Sequence, residues 1–239
     1  MDSMRSFRTV SLILVYALAC RCNSAEKTTL CFLDTITETS IAGTTSSTFT
    51  FSESRPVSQV TVSNGVTYTR SFDYNGAGQL LGYTTVSTAG NTSIGYFYDS
   101  QRKLIKSVEV SDNGTLTIDF LYKVHLQVIT ASHVFVGPGG DYTMTETFAY
   151  PDEVTRNPAT VTRVHSGGAT IVATYLYDDK INPVRGILPT TLAVNNIVSE
   201  TVDGVTRTFS YVYNGEGYPV SATVSDGSTR SWTYDCKEI

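Results

Sequence analysis

An aromatic residue, one spacer, a second aromatic and usually Asp or Asn recur seven times between positions 72 and 235. The copies are Phe72-Asp73-Tyr74-Asn75, Tyr96-Phe97-Tyr98-Asp99, Phe120-Leu121-Tyr122, Phe148-Ala149-Tyr150, Tyr175-Leu176-Tyr177-Asp178, Tyr211-Val212-Tyr213-Asn214 and Trp232-Thr233-Tyr234-Asp235. Their second aromatics, Tyr74, Tyr98, Tyr122, Tyr150, Tyr177, Tyr213 and Tyr234, lie 24, 24, 28, 27, 36 and 21 residues apart. A near-constant period of this size marks one supersecondary unit used over and over.

Each unit reads as strand, turn, strand. Aromatics at i and i+2 share a face because strand side chains alternate. The Asp or Asn that follows can accept hydrogen bonds from the next backbone N–H groups. Gly four places after the Tyr, as at Gly78 and Gly217, suits a left-handed position closing the turn. Asn64-Gly65 and Asp112-Asn113-Gly114 supply the second turn of their units. In the segment 116–122 Leu116, Ile118, Phe120 and Tyr122 fall on one face and Thr117 and Asp119 on the other. Likewise Arg207, Phe209, Tyr211 and Tyr213 oppose Thr206, Thr208 and Ser210. The pattern predicts an all-β fold: a single antiparallel β-meander over residues 26–239, with roughly 14–16 strands. Accumulated twist and open edges predict curling into a barrel-like or half-barrel body, aromatic face inward.

The remaining composition removes several function classes. With 16% charged residues the chain is no coiled coil, and a formal net charge of −5 argues against nucleic acid as a partner. Three His, sharing no ligand spacing, argue against a metal centre, and no cofactor is expected. Residues 1–25 carry Arg5 and Arg8 ahead of an apolar run at 10–19, the pattern of a signal peptide. Ala17-Leu18-Ala19-Cys20 resembles a bacterial lipobox, in which Cys20 would be lipidated; a soluble cut after Ala19, Ser24 or Ala25 is the competing reading. Without residues 1–25 the chain keeps 14 basic and 21 acidic residues, net −7. A cut after Ser24 or Ala25 leaves Cys31 and Cys236 as an even pair, a disulfide candidate in an oxidising compartment.

The Tyr-Asp-x-x-Gly spacing resembles the YD repeat of Rhs-type proteins, whose repeats roll into a large β-shell. The stretch Tyr177-Asp178-Asp179-Lys180-Ile181-Asn182-Pro183, with Asn195-Asn196 downstream, is similar to exported Bacteroidota lipoproteins with a porin-like β fold. That resemblance implies a cell-envelope location, as an outer-membrane lipoprotein or else a periplasmic or secreted protein. It brings no catalytic residues. The many Thr, Ser, Asp and Glu on the polar faces argue for a water-soluble body rather than a lipid-facing barrel, so membrane contact is expected only through a lipid anchor.

Three functions are open on this reading. The first is non-catalytic binding or scaffolding, with a glycan or another envelope protein as partner. Aromatic ladders can stack sugars, but a ladder present in every repeat is expected to pack the core. The irregular segments 134–143 and 181–199 are the expected working faces, unless they serve as caps or plugs. The second is a shell fragment enclosing cargo. The third is a hydrolase using Glu146, Asp152 and Glu153, close in sequence to Gly137-Pro138-Gly139-Gly140.

Overall fold

The computed structural model describes residues 29–123 and 127–238. The signal segment, Cys20 and His125 lie outside the described residues. Sixteen strands follow in order, with no helix among the described residues: β1 Thr29–Ser40, β2 Gly43–Ser52, β3 Arg55–Ser63, β4 Val66–Tyr74, β5 Leu80–Ser87 and β6 Gly90–Tyr98. Next come β7 Leu104–Ser111, β8 Gly114–Tyr122, β9 Val128–Val136, β10 Tyr142–Ala149 and β11 Thr160–His165. The last five are β12 Thr170–Ile181, β13 Asn195–Val202, β14 Val205–Tyr213, β15 Pro219–Val224 and β16 Thr229–Glu238. Every strand pairs antiparallel with its sequence neighbours, and β16 returns to β1, so the sheet is a closed barrel rather than a half-pipe. Closure leaves no free edge. Across the seam Ile36 faces Trp232 and Glu38 faces Arg230. Cys31 faces Cys236 there, and the two form a disulfide.

Because the strands alternate in direction, successive turns fall at opposite ends. One end, here the hairpin end, holds tight turns. Asn64-Gly65 has φ of 49° and 79° and Asp203-Gly204 47° and 83°, the left-handed pairs that match strand twist in a two-residue hairpin. The other, the plug end, holds both strand termini, the disulfide and the Asn/Asp turns. Asn75 Oδ1 accepts the N–H groups of Ala77 and Gln79 at 3.0 and 2.9 Å; Asp99 does the same for Gln101 and Lys103, and Asn214 for Glu216 and Tyr218. Gly78 and Gly217 close these turns at φ 78° and 82°, and Arg102 takes the same left-handed place at 64° without being glycine.

The repeated aromatics point inward. Two apolar clusters result: Leu33, Phe49, Ala222 and Trp232 on β1, β2, β15 and β16, and Leu80, Tyr83, Tyr96 and Leu104 on β5–β7. Outward positions mix Thr and Ser with exposed apolar residues such as Val62, Val110, Leu121 and Leu176, and some of the hydroxyls pair, as Thr37 with Ser46 at 3.2 Å and Thr201 with Thr206 at 2.8 Å. Lys106 and Asp119 make an outward cross-strand ion pair at 3.3 Å. The interior is not uniformly apolar, however. Towards the hairpin end the inward columns continue as Ser, Thr and charged residues, which corrects the expectation that charge belongs to the outer face.

Candidate functional site

The repeat tyrosines form a ring inside the plug end, and a register shift explains it. In six hairpins the odd-numbered strand carries one extra residue opposite the aromatic pair: Val57, Leu81, Ile105, Ile129, Val198 and Val220. A bulge of this kind interrupts the ladder and leaves backbone groups without a strand partner. Tyrosine hydroxyls fill the vacancies. Tyr74 donates to the Pro56 carbonyl at 2.9 Å, Tyr98 to Leu80 at 2.7 Å and Tyr234 to Pro219 at 2.7 Å, each beside a bulge, while Tyr177 donates at 2.9 Å to the Pro158 carbonyl of the β10–β11 loop, where there is no bulge. Tyr122 stands half-buried with Tyr98 and Tyr150 on one cavity wall, which Val128 shares. Burial pushes these phenols up, Tyr98 and Tyr122 to about 12.

Tyr213 departs from the ring. Its hydroxyl donates to Asp178 Oδ2 instead of a carbonyl. Asp178 occupies the place that Asn75, Asp99 and Asn214 hold in their turns, but here segment 182–194 is inserted. Its Oδ1 accepts the Lys180 N–H at 3.0 Å and, across the insertion, the Asn196 N–H at 3.0 Å. The stem is stitched further by amides. Asn157 Oδ1 accepts the Val194 N–H at 2.8 Å, its Nδ2 donates to Asn195 Oδ1 at 2.8 Å, and Asn195 Nδ2 donates to the Lys180 carbonyl at 2.9 Å.

The inserted segment turns into the barrel. Val184 and Ile187 pack on the Leu33–Trp232 cluster and Leu188 on the Tyr83–Tyr96 cluster, so the segment reaches both clusters. Of the two roles expected for 181–199, plug is the one its packing fits. The other irregular stretch, 134–143, lies at the hairpin end as the tip of β9 and β10. Phe135 and Tyr142 stack there at 5.1 Å, and a Cβ on Gly137 would run into the Asn113 carbonyl of the neighbouring hairpin.

Between plug and hairpin end lies the lumenal cavity, about 340 Å³, with Trp232, Tyr211, Phe209 and Ile36 as walls and Val184 of the plug as part of its floor. Tyr211 and Trp232 sit 6.0 Å apart at 32°, and the Tyr211 hydroxyl is fixed on the Ile197 carbonyl at 3.0 Å. Glu38, Arg230, Asn182 and Asn196 supply polar groups. A second cavity of about 220 Å³ shares Glu38, Phe209 and Arg230 and reaches Ser40 and Ile41 of the hairpin end. The Arg230–Glu38 contact, 3.3 Å, therefore sits where the two meet.

Further charges line the lumen. Arg207 bonds Glu200 at 2.5 Å, and Glu146 takes His133 on one oxygen at 3.0 Å and Arg163 on the other at 2.7 Å. Burial works to raise the Glu146 carboxyl, but those two hydrogen bonds outweigh it and hold the pKa below the usual range. Glu146, Asp152 and Glu153 do not converge. Glu146 is in the lumen, whereas Asp152 and Glu153 sit in the plug-end loop between β10 and β11. There Asp152 caps Val154 and Thr155, and Glu153 pairs with Lys123 at 3.2 Å. The sequence proximity of Gly137–Gly140 was equally misleading, since that turn is at the opposite end. The sequence places Arg207 on the aromatic face; Arg230 was missed, although its signal is the same: it stands two residues ahead of the inward Trp232, as Arg207 does of Phe209.

No protein-family model matches the chain, and no curated protein does either. Among solved structures the fold is similar to the crystal structure of a porin-like protein from Bacteroides uniformis ATCC 8492, with a TM-score of 0.58 and 12% sequence identity. The likeness covers 84% of this chain and 96% of that one. It is a likeness of fold: both chains share the architecture of a porin-like β-barrel.

Proposed function

We propose that this chain is an exported, non-catalytic binding protein of the cell envelope, a water-facing barrel that holds a neutral glycan segment in the lumenal cavity above the plug. The observation that carries the reading is the cavity itself. Trp232, Tyr211 and Phe209 offer ring faces of the kind sugars stack on, while Glu38, Arg230, Asn182 and Asn196 offer donors and acceptors for hydroxyls. The two adjoining lumenal cavities, about 340 and 220 Å³, suit a small molecule or chain end, which speaks against enclosed polypeptide cargo. Hydrolysis is disfavoured because the Glu146 carboxyl is shifted down, opposite to what a general acid needs near neutrality. Thr and Ser hydroxyls and the Lys106–Asp119 pair interrupt the outward apolar positions such as Val62, Val110 and Leu121, which supports water rather than a continuous lipid-facing band outside.

A lipid on Cys20 completes the arrangement. β1 starts at the plug end, and the nine residues from Cys20 to Thr29 reach at most about 30 Å. The plug end would then face the bilayer and the hairpin end would face away. A glycan array probed with residues 26–239, beside Phe209→Ala and Glu38→Gln, tests the ligand. A signal lost in either variant with the barrel's circular dichroism retained is expected, and silence of the wild-type chain counts against it. Intact mass of the exported protein tests the anchor: acylated Cys20 as first residue supports it, an unmodified Glu26 start rejects it.

A further inference from the structure

Cations are unevenly distributed at the plug end. The described residues include thirteen Arg and Lys, of which seven make an ion pair with a carboxylate. Six have no such pair among the described residues, and four of the six, Arg102, Lys103, Arg156 and Arg185, line one pocket of about 300 Å³. They arrive from three separate segments: the β6–β7 turn, the β10–β11 loop and the plug. No Asp or Glu lines the pocket. Asp99 is near enough for its charge to raise Tyr122, but its Oδ1 is held by the Gln101 and Lys103 N–H groups of its own turn. Asp152 and Glu153 are engaged in their loop as described.

Gathering four like charges is unfavourable by itself, and more conspicuous in a chain of net charge −5. We propose that this pocket is a second binding site, separate from the lumenal cavity, for a small ligand bearing an oxyanion: a phosphate, sulfate or carboxylate. Arg102, Arg156 and Arg185 present guanidinium forks, which pair bidentately with such groups, and Lys103 adds a point charge. Tyr98, Tyr122 and Tyr150 form the apolar side of the pocket with Leu104 and Leu188, enough for a ring to lie against. The pocket is part plug and part wall, so an occupant also ties segment 182–194 to the barrel mouth. The exposed cations are screened by salt, so affinity falls as ionic strength rises.

Calorimetric titration of residues 26–239 at low salt with glucose monophosphate, glucuronate, inorganic phosphate and uncharged glucose tests the site. The expected result is binding of the anionic probes that falls at least about tenfold in Arg156→Ala/Arg185→Ala, while any heat from uncharged glucose is the same in that variant as in wild type. Both side chains are exposed loop residues, so the double variant should keep its melting temperature. Arg55→Ala is the control, a cation at the same end that lies over the Tyr74 ring outside the pocket, and it should bind as wild type. Phosphatidylglycerol vesicles separate a headgroup source from a free one, since vesicle binding that free phosphates compete away supports the pocket. Failure of every free anion to bind, affinity surviving neutralisation of all four cations, vesicle binding that free phosphates leave intact, or equal loss in Arg55→Ala would overturn it. The glycan reading is untouched by any of these outcomes, because none involves the lumenal cavity.

Discussion

At the hairpin end the inward columns are closed by hydroxyl pairs, Thr45 with Ser63 and Ser47 with Thr61, both 2.8 Å, and by two-residue turns. At the plug end the same columns carry Phe, Tyr and Trp, a ring of phenol-to-carbonyl bonds and an inserted segment packed on both apolar clusters. The repeat is one, but its two ends are held by different forces. Small polar pairs leave a lumen that water and solutes can enter, whereas ring burial and the inserted segment fill most of the other end and leave the cation-lined pocket at its mouth. The difference teaches that in a closed meander the unit's two turns need not be equivalent: one can seal the barrel while the other leaves it accessible.

Alkali should act on the plug end before any single substitution matters as much. Burial raises the plug-end phenols, Tyr98 and Tyr122 to about 12, against 10 in an unfolded chain. A group whose folded pKa is raised contributes stability that is fully present below pH 10 and lost as pH climbs through the folded value. With several tyrosines shifted the same way, cooperative unfolding is expected between about pH 10 and 12. Tyrosinate absorbance and far-UV circular dichroism should change together. Smooth phenol titration on an unchanged fold would mean the ring is not sealed.

Two substitutions come next in size. Trp232→Ala removes the largest member of the plug-end cluster and should cost about 3–5 kcal/mol in urea unfolding, whereas Ser47→Ala at the other end should stay within about 0.5. Cys31→Ser/Cys236→Ser opens a link spanning 205 residues of chain. The loop-entropy model sets a ceiling of about 5 kcal/mol, and about 2–4 is expected because the β1–β16 ladder remains. A loss below 1 kcal/mol would place barrel closure in the ladder alone.

What the sequence revealed of this division follows its periodicity. Period-two alternation and the recurrent aromatic pairs are local signals, so strand order, inward ring faces and the Asn/Asp turns could be read directly. Closure depends on whether the twist of sixteen strands brings Cys31 opposite Cys236, a global sum that no short segment records. The extra residues at Val57, Leu81 and Ile105 were equally hidden, since a bulge is a property of two paired strands. Asp178 looked like another turn residue, and only the return of Asn196 beside it shows a different partner.

That exception gives the smallest and sharpest test. Tyr98→Phe removes a bond from a neutral carbonyl whose rung also packs by ring area, and a cost of about 1 kcal/mol is expected. Tyr213→Phe removes a bond to the Asp178 carboxylate, and hydrogen bonds to charged groups are worth roughly 1.5–3 kcal/mol. Asp178 would keep the N–H groups of Lys180 and Asn196, so the fold should survive. The Asp178 bonds clamp the plug stem, so Tyr213→Phe should also speed backbone amide exchange across 182–194, which Tyr98→Phe should leave alone. If both variants cost the same and neither loosens the plug, the Asp178 junction is one more rung of the ring, and the plug is held by the burial of Val184, Ile187 and Leu188.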